Sequence, residues 1–453
     1  MISAIVAWLD DPPPGPALVE VATGRTWTYA ELADDVRRQA ACLTGPSKAL
    51  VACVCRRDAS SVIGYLAVLA AGHAAMLLDA DTDADLTSSL ITHYRPDLVL
   101  RDGRCVPGGG VPAGAMPLHE DLAVLLCTSG STGSPKLVRL SARNVDANAA
   151  QIVECLAIDS DERAIQSLPI SYSYGLSVLN SHLLAGATVV LPAASIVHSG
   201  FWDGVRTHGC TSFAGVPYAY TILEKIDFHR LDLPTLRTMT QAGGRMAPDT
   251  VARFARALHQ RGRRLVVMYG QTEATARIAC LPPARVLDKP GSIGIPVPGG
   301  RLSLATDGEM IYEGPNVMLG YATERADLAL GDVNRGVLAT GDLGRVDDEG
   351  FFTVTGRKSR IAKLAGQRVN LDELEGMLAP DRTVAVLEDG GRVVVVREAG
   401  ATEVPAAQLI RMVGDRLRVT SRFVDCREVE VIPVLGSGKT DYTRLACDLG
   451  LGG

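Results

Sequence analysis

Thr128-Ser129-Gly130-Ser131-Thr132-Gly133-Ser134-Pro135-Lys136 follows directly on the apolar run Leu122–Cys127 and is the densest chemical feature of the sequence. Five hydroxyl residues, two glycines and a lysine fall within nine positions. Glycines let backbone N–H groups close on an anion, hydroxyls donate further hydrogen bonds, and the lysine supplies charge. The pattern is not the nucleotide-binding P-loop, which needs G-x-x-x-x-G-K-[ST] and a helix after it. Here the lysine follows a proline, and 137–140 reads as a strand. A plain turn has no need of this hydroxyl density beside an apolar strand, so the stretch points to an anion.

Outward from that loop, helical and strand-like patterns alternate. Towards the N-terminus, 28–43 has helical spacing, 49–54 reads as a strand, 61–71 as a helix and 97–100 as a short strand. Alternation resumes from 144 to about 281, and a Gly/Pro-punctuated, β-rich stretch follows at 291–355, with strands expected at 309–312 and 351–354. This is the signature of α/β layers. After Gly356 the character changes. Asp389-Gly390-Gly391 between 383–387 and 392–397 is a hairpin signal, with a helix at 405–417 and a strand at 429–432 expected after it. The predicted class is α/β: a large N-terminal domain of α/β layers plus a β-rich subdomain over 1–356, and a small α+β C-terminal domain over 357–453.

The 453 residues are 47% hydrophobic and 21% charged, which describes a globular rather than a disordered chain. A net charge of -6 speaks against nucleic acid as the main partner. The ten cysteines contain no C-x-x-C pair, and the eight histidines contain no H-x-x-x-H, so neither a disulfide framework nor a zinc site is expected. The N-terminus lacks a basic n-region, and 62–78 reads as a helix followed by a buried strand rather than a membrane span. The expectation is a cytoplasmic protein with no membrane partner.

Six further motifs stand in order after the loop: Ala242-Gly243-Gly244; Tyr269-Gly270-Gln271-Thr272-Glu273; Gly314-Pro315-Asn316-Val317-Met318-Leu319-Gly320-Tyr321; Thr340-Gly341-Asp342; Gly356-Arg357 with Lys363, Gly366 and Arg368; and Gly436-Ser437-Gly438-Lys439. With Thr28-Tyr29-Ala30-Glu31-Leu32 near the start, the series resembles the adenylate-forming (AMP-binding) superfamily over essentially the whole chain. That superfamily comprises acyl- and aryl-CoA synthetases, adenylation domains of peptide synthetases, and luciferases.

Taken alone, Tyr269 reads as a core aromatic, Asp342 equally as a turn residue or as an acceptor for hydroxyls, and Lys439 as a surface charge; the resemblance gives them roles. It implies ATP and Mg²⁺, with CoA as co-substrate. Thr128, Ser129, Gly130, Ser131, Thr132, Gly133 and Lys136 would hold phosphates. Tyr269 would stack on adenine, with Gly243 and Gly244 against the base edge and Gly270 and Gln271 in the same site. Thr272 would bond the α-phosphate, and Glu273 is a hard oxygen ligand for Mg²⁺. Asp342, an acceptor only, would take the ribose hydroxyls, with Arg357 as a second ribose contact. Lys439 would bridge the substrate carboxylate and the α-phosphate. The small domain would be mobile about a hinge at Ser359, bringing Gly366 to the acceptor channel.

Departures from the family pattern narrow the substrate. The region 168–177 matches the acyl pocket, and acyl-CoA synthetases often carry histidine where Tyr172 stands, beside Ser173. Amino-acid-activating domains usually place aspartate where Gly175 stands, so an ordinary α-amino acid is not expected. Arg245 points either to a polar group on the substrate or to solvent. Ser359 replaces the usual acidic or lysine hinge residue. Only 14 residues follow Lys439, which suggests a stand-alone enzyme with no fused carrier domain. The expected activity is ATP-dependent conversion of a small acyl or aryl carboxylic acid to an acyl-adenylate, with transfer to CoA. The alternative is a stand-alone adenylation enzyme serving a separate carrier protein or an amine in specialised metabolism. A non-catalytic relative would have no need of Lys136, Glu273, Asp342 and Lys439 together.

Overall fold

Six successive apolar residues bounded by turn-formers make Leu122–Cys127 a fully buried strand up to Cys127, which is exposed. The computed structural model describes residues 3–451 other than 44, 46, 82–83, 109–115, 128–135, 365–366, 379–383, 401–403, 418 and 436–439. Leu122–Cys127 pairs antiparallel with Leu137–Ser141, Cys127 opposite Leu137, so the hydroxyl-rich loop joins two adjacent strands. Both belong to a seven-stranded sheet in which Ala74–Asp79, Leu50–Cys55 and Leu98–Arg101 run parallel. The crossover helices begin where their sequence dictates. Thr28 accepts from the Glu31 amide, and Glu31 accepts from the Thr28 amide at 2.8 Å, a capping box that starts Tyr29–Ala41. Asp58 caps Ala59–Ala70 by accepting from the Ser61 amide.

A nine-stranded sheet forms the second layer, its centre made of the parallel strands Arg163–Ile165, Ser212–Gly215, Thr238–Gln241 and Arg264–Tyr269. Alternation divides its side chains between two cores: Val189 and Leu191 join one, Val190 the other. The first core ties this sheet to the seven-stranded one through the helices Ala142–Leu156 and Ser173–Leu184. The second lies under the helices Ser199–Thr207, Pro217–Lys225 and Pro248–His259. Tyr172, Gly243 and Tyr269 all sit at or just past the carboxyl ends of these parallel strands, where ligands bind in open α/β sheets.

A four-stranded antiparallel sheet, Arg301–Leu304, Glu309–Glu313, Val337–Val346 and Phe352–Arg357, makes the β-rich stretch. From Ala362 onward the chain builds apolar clusters of its own. Val384–Asp389 and Arg392–Glu398 pair through Gly390 and Gly391, whose φ angles of +54° and +78° explain the two glycines. The strand expected at 429–432 is displaced: the observed one is Val424–Val429. It runs parallel to Arg392–Glu398, whose last residue, Glu398, pairs with Val429, so the partner ends there and Val431 is left 66% exposed. Among the described residues no helix is long and apolar enough to cross a membrane.

Candidate active site

Thr128, Ser129, Gly130, Ser131, Thr132 and Gly133 lie outside the described residues, as do Gly366 and Lys439. Lys136, at the loop's far end, is described. Its ammonium stands 3.3 Å from the centre of the Tyr321 ring, a cation–π contact. The Tyr321 hydroxyl in turn donates to Glu273 Oε1 at 2.8 Å. Burial, and then the Glu273 charge, push the Tyr321 phenol up, so it keeps its proton and donates. Tyr321 is held there by Gly320–Ala322, which pairs with Leu137–Ser141. Arg139, wholly buried in that same strand, donates to the carbonyls of Leu319, Tyr321, Leu330 and Gly331. Sequence reasoning missed Arg139. Its only signal was a charge inside an apolar strand.

The strand Arg264–Tyr269 delivers Tyr269, whose hydroxyl donates to Asp342 Oδ2 at 2.5 Å. Asp342 and Arg357 are cross-strand partners, and Arg357 Nε lies 3.1 Å from Asp342 Oδ1. Gly341, at φ +70°, turns the chain, and its amide donates to Glu309 Oε1. Gln271 Nε2 reaches the Thr340 carbonyl at 3.2 Å. The structure thus brings Tyr269, Gln271, Asp342 and Arg357 together. Asp342 is 5% exposed, and each of its oxygens retains a second lone pair for a hydroxyl donor.

After Gly270 the chain turns sharply. Thr275 and Ala276 have φ of +60° and +138°, conformations that cost non-glycine residues of order 1–3 kcal/mol each. Two buried asparagines hold them. Asn316 donates to the carbonyls of Ala274 and Arg277, and the Thr275 hydroxyl donates to the Asn316 carbonyl. Asn148 accepts from the Arg277 amide and donates to its carbonyl. The fold-back sets the Ala276 carbonyl oxygen 1.8 Å from where a Cβ on Gly270 would be, which is why this position is glycine. Neither asparagine was picked out beforehand, although Asn316 stands inside a quoted motif.

On the acyl side, Thr272 Oγ1 lies 3.1 Å from Ser173 Oγ, the first residue of the helix Ser173–Leu184. A Cβ on Gly243, at φ +81°, would fall 2.6 Å from the Tyr172 hydroxyl, so Tyr172 and the first glycine of the pair are in close contact. Burial pushes the Tyr172 phenol up to about 12. Gly244 accepts from Gln241 Nε2 at 2.8 Å. Arg245 is exposed, with Nη1 4.0 Å from the Cβ position of Gly376 on the helix Leu371–Leu378.

Gly175 does not open onto a pocket as its expected role required. It is buried in Ser173–Leu184, and a Cβ there would meet the Pro169 carbonyl oxygen at 2.1 Å and that of Leu168 at 2.8 Å. No carboxylate side chain fits on this backbone. Gly175→Asp is therefore expected to cost about 3 kcal/mol or more, read as a lowered urea midpoint, with Gly175→Ala intermediate. An unchanged midpoint for the aspartate would show that the helix is free to move off 168–169.

Ser359 sits between two anchors. Lys358 Nζ pairs with Asp307 and Glu309 at 2.8 and 2.7 Å, both near the four-stranded sheet. Arg360 pairs with Asp372 and Glu375 at 2.7 and 3.0 Å and stacks on Tyr442. Among the described residues no group of three or more His, Cys, Asp or Glu side chains forms a metal cage.

A family model described as AMP-binding enzyme matches residues 7–108 and 102–322, well over half of the chain. Isonitrile lipopeptide synthase from Streptomyces coeruleorubidus is 30% identical over 472 residues, which cover 93% of this chain but 32% of that protein, so the chain spans about a third of its length. Feruloyl-CoA synthase from an Amycolatopsis species is 29% identical over 405 residues, 80% of this chain and 78% of that one. Among solved structures, o-succinylbenzoate CoA synthetase from Bacillus subtilis, in complex with its acyl-adenylate intermediate, matches with a TM-score of 0.78 at 22% identity, covering 98% of each chain. At that identity the likeness is one of fold.

Proposed function

The chain belongs to the AMP-binding enzyme family, and we propose that it uses ATP to convert a carboxylic acid to an acyl-adenylate, releasing pyrophosphate, and then transfers the acyl group to the thiol of CoA. The observation that carries this is the row Lys136–Tyr321–Glu273, with Glu273 next to Thr272 and four residues after Tyr269, whose hydroxyl bonds Asp342 of the Asp342–Arg357 pair. Cation, metal-binding carboxylate and hydroxyl donor are the groups a triphosphate needs.

In this mechanism the loop 128–136 binds the phosphates, and the Thr272 hydroxyl donates to the α-phosphate. Asp342 accepts from the ribose hydroxyls with Arg357 beside it, while Tyr269, Gly243 and Gly244 flank the base. Glu273 fits Mg²⁺ as that ion is usually held, by one carboxylate together with substrate phosphates, and its Oε2 has no hydrogen-bond partner among the described residues. Bound there, the ion would neutralise phosphate charge. A carboxylate oxygen of the acid attacks the α-phosphorus and pyrophosphate leaves. Lys439 stabilises the charge that develops. The small unit, 357–453, then turns about Ser359 so that Gly366 faces the site and the thiol attacks the acyl carbon, releasing AMP.

The test is pyrophosphate release across aliphatic and aromatic acids, with ATP and Mg²⁺, in the presence and absence of CoA. Acid-dependent release and a CoA thioester are expected, with free proteinogenic amino acids poor substrates. Release without a CoA thioester, but with acylation of a phosphopantetheinyl carrier or an amine, selects the alternative acceptor. No release with any acid would leave a nucleotide-binding regulator as the better account.

A further inference from the structure

Arg277 takes no part in the chemistry above. It lies four residues after Glu273, at the end of the strained turn, and is 3% exposed. Its guanidinium stacks on the face of Tyr174, 3.9 Å from the ring centre. The side chain makes one long hydrogen bond, from Nη1 to the Ala276 carbonyl at 3.5 Å, and its buried Nε has no partner. Among the described residues no carboxylate pairs with it. The ionisable groups facing it are the Tyr172 and Tyr174 phenols and the Cys155 and Cys280 thiols. Burial pushes both phenols up, and the hydrogen bond that Cys280 donates to Cys155, together with burial, does the same to Cys280, so these three hold their protons. The fourth, Cys155, has its pKa lowered by Cys280, and a lone thiol is a poor partner for a bidentate fork.

A guanidinium cannot shed its proton to escape burial, so a fold that keeps one unpaired leaves a charge awaiting an anion. Its surroundings have the right size for one. Arg277 lines a cavity of about 30 Å³ with Ser177, Ser181, Ser212, Thr238 and Thr240 among its walls, together with Arg264 and with Glu162, whose carboxylate accepts from Thr211 and faces Arg237. That volume holds about two water-sized groups, enough for a carboxylate and too little for a further stretch of chain. Two rings also connect Arg277 to Gly243. Tyr172 touches Gly243, Tyr172 and Tyr174 stand 6.3 Å apart between ring centres, and Tyr174 carries the guanidinium. An acyl chain that began near Thr272 and followed the two tyrosines would reach Arg277.

We infer that Arg277 sets the acyl specificity, and that the acid activated here carries a second carboxylate, which this guanidinium binds. This rests on the ligase assignment above. One carboxylate is adenylated, with pyrophosphate leaving, while the other stays ionised on Arg277 through both half-reactions. The same cation disfavours substrates that bring an ammonium group into the pocket.

The experiment compares dicarboxylic acids of rising length, aliphatic and aryl, with the monomethyl ester and the monoacid of each. A built anion site rejects a ligand that leaves it unpaired, so in the wild-type protein at least one diacid should exceed its half-ester by about 100-fold or more in kcat/KM. In Arg277→Met that preference should vanish through a raised KM for the diacid, with kcat and the half-ester little changed; Arg277→Lys should retain part of it. Without ATP, the preferred diacid should raise the Tm of the wild-type protein and not that of Arg277→Met. Equal use of diacid and half-ester by the wild-type protein would overturn the inference, and so would a loss shared by all acids in Arg277→Met, which marks a structural arginine. Should no acid release pyrophosphate, the ligase assignment fails, and the diacid-dependent Tm shift alone decides whether Arg277 binds a carboxylate.

Discussion

Glu273→Gln is expected to lower acid-dependent pyrophosphate release by about 10²–10³-fold, the size of effect that follows when a group aimed at developing phosphate charge is removed. Glutamine keeps the shape and can still accept from the Tyr321 hydroxyl, which donates to Oε1 in the native protein. The neighbouring Met318 amide bonds the backbone carbonyl of residue 273, which the substitution leaves alone. Folding is therefore preserved and only the charge is lost. The loss should be worst at low Mg²⁺ and partly relieved by raising it, because a weakened ligand shows first in the apparent metal affinity. Tyr321→Phe is the contrasting variant. It keeps the carboxylate and the ring under Lys136 and removes only the hydroxyl, so about a tenfold loss is expected. Pyrophosphate release titrated against Mg²⁺ distinguishes the two. If Glu273→Gln matches the wild-type protein at every Mg²⁺ concentration, Glu273 is a structural acceptor for Tyr321 and holds no metal.

The residues behind these expectations differ in how far the sequence alone reveals them. Local chemistry was legible. The capping box at Thr28 and Glu31, the buried strand Leu122–Cys127 and the Gly390-Gly391 turn each follow from neighbouring residues. Tyr269, Asp342 and Arg357 were named from motifs, and the structure adds that they contact one another directly. What stayed hidden depends on contacts distant in the chain. Arg139 is a charge in a buried strand until its acceptors, 180 residues or more away, are in place. Thr275 and Ala276 carry no glycine to announce positive φ; Asn148 and Asn316 impose it from 129 and 41 residues away. Gly175 shows the opposite hazard. Its role was argued from the side chain it lacks, whereas the backbone of 168–169 already fills that space. The strand misplaced at 429–432 has the same origin, since strand propensity ignores where a partner ends.

The proposed nucleotide site and the proposed hinge share a residue. Glu309 accepts from the Gly341 amide, next to Asp342, through one oxygen and from Lys358 through the other. Lys358 is thereby tied to the four-stranded sheet and Arg360 to the helix Leu371–Leu378, which leaves Ser359 as the single residue between two anchors. Asp372 also accepts from the Arg357 amide, and Asn370 donates to the Thr355 carbonyl, so the described arrangement fixes both sides of the junction. The proposed turn about Ser359 would have to break these last two contacts while sparing the anchors.

That constraint gives the final expectation its form. Lys439→Ala should reduce pyrophosphate release by about 10²–10³-fold while still letting pre-formed acyl-adenylate react with the thiol. Gly366→Leu should do the reverse. A side chain at Gly366 would obstruct the thiol's path once the small unit has turned, and it leaves Tyr269, Thr272, Glu273 and Asp342 as they are. Domain turns of this kind run on the order of μs–ms, so either half-reaction can be isolated by supplying its own starting material. Because a catalytic contact is identified by the step it slows, the pair probes one mechanism from opposite ends. Single-turnover assays with acid and ATP, and separately with acyl-adenylate and thiol, give the two rates. Loss of the same half-reaction to the same extent in both variants would mean that the enzyme works in one fixed arrangement. Ser359 would then be an ordinary linker between two tethered units, and Lys439 and Gly366 would lose their assigned roles.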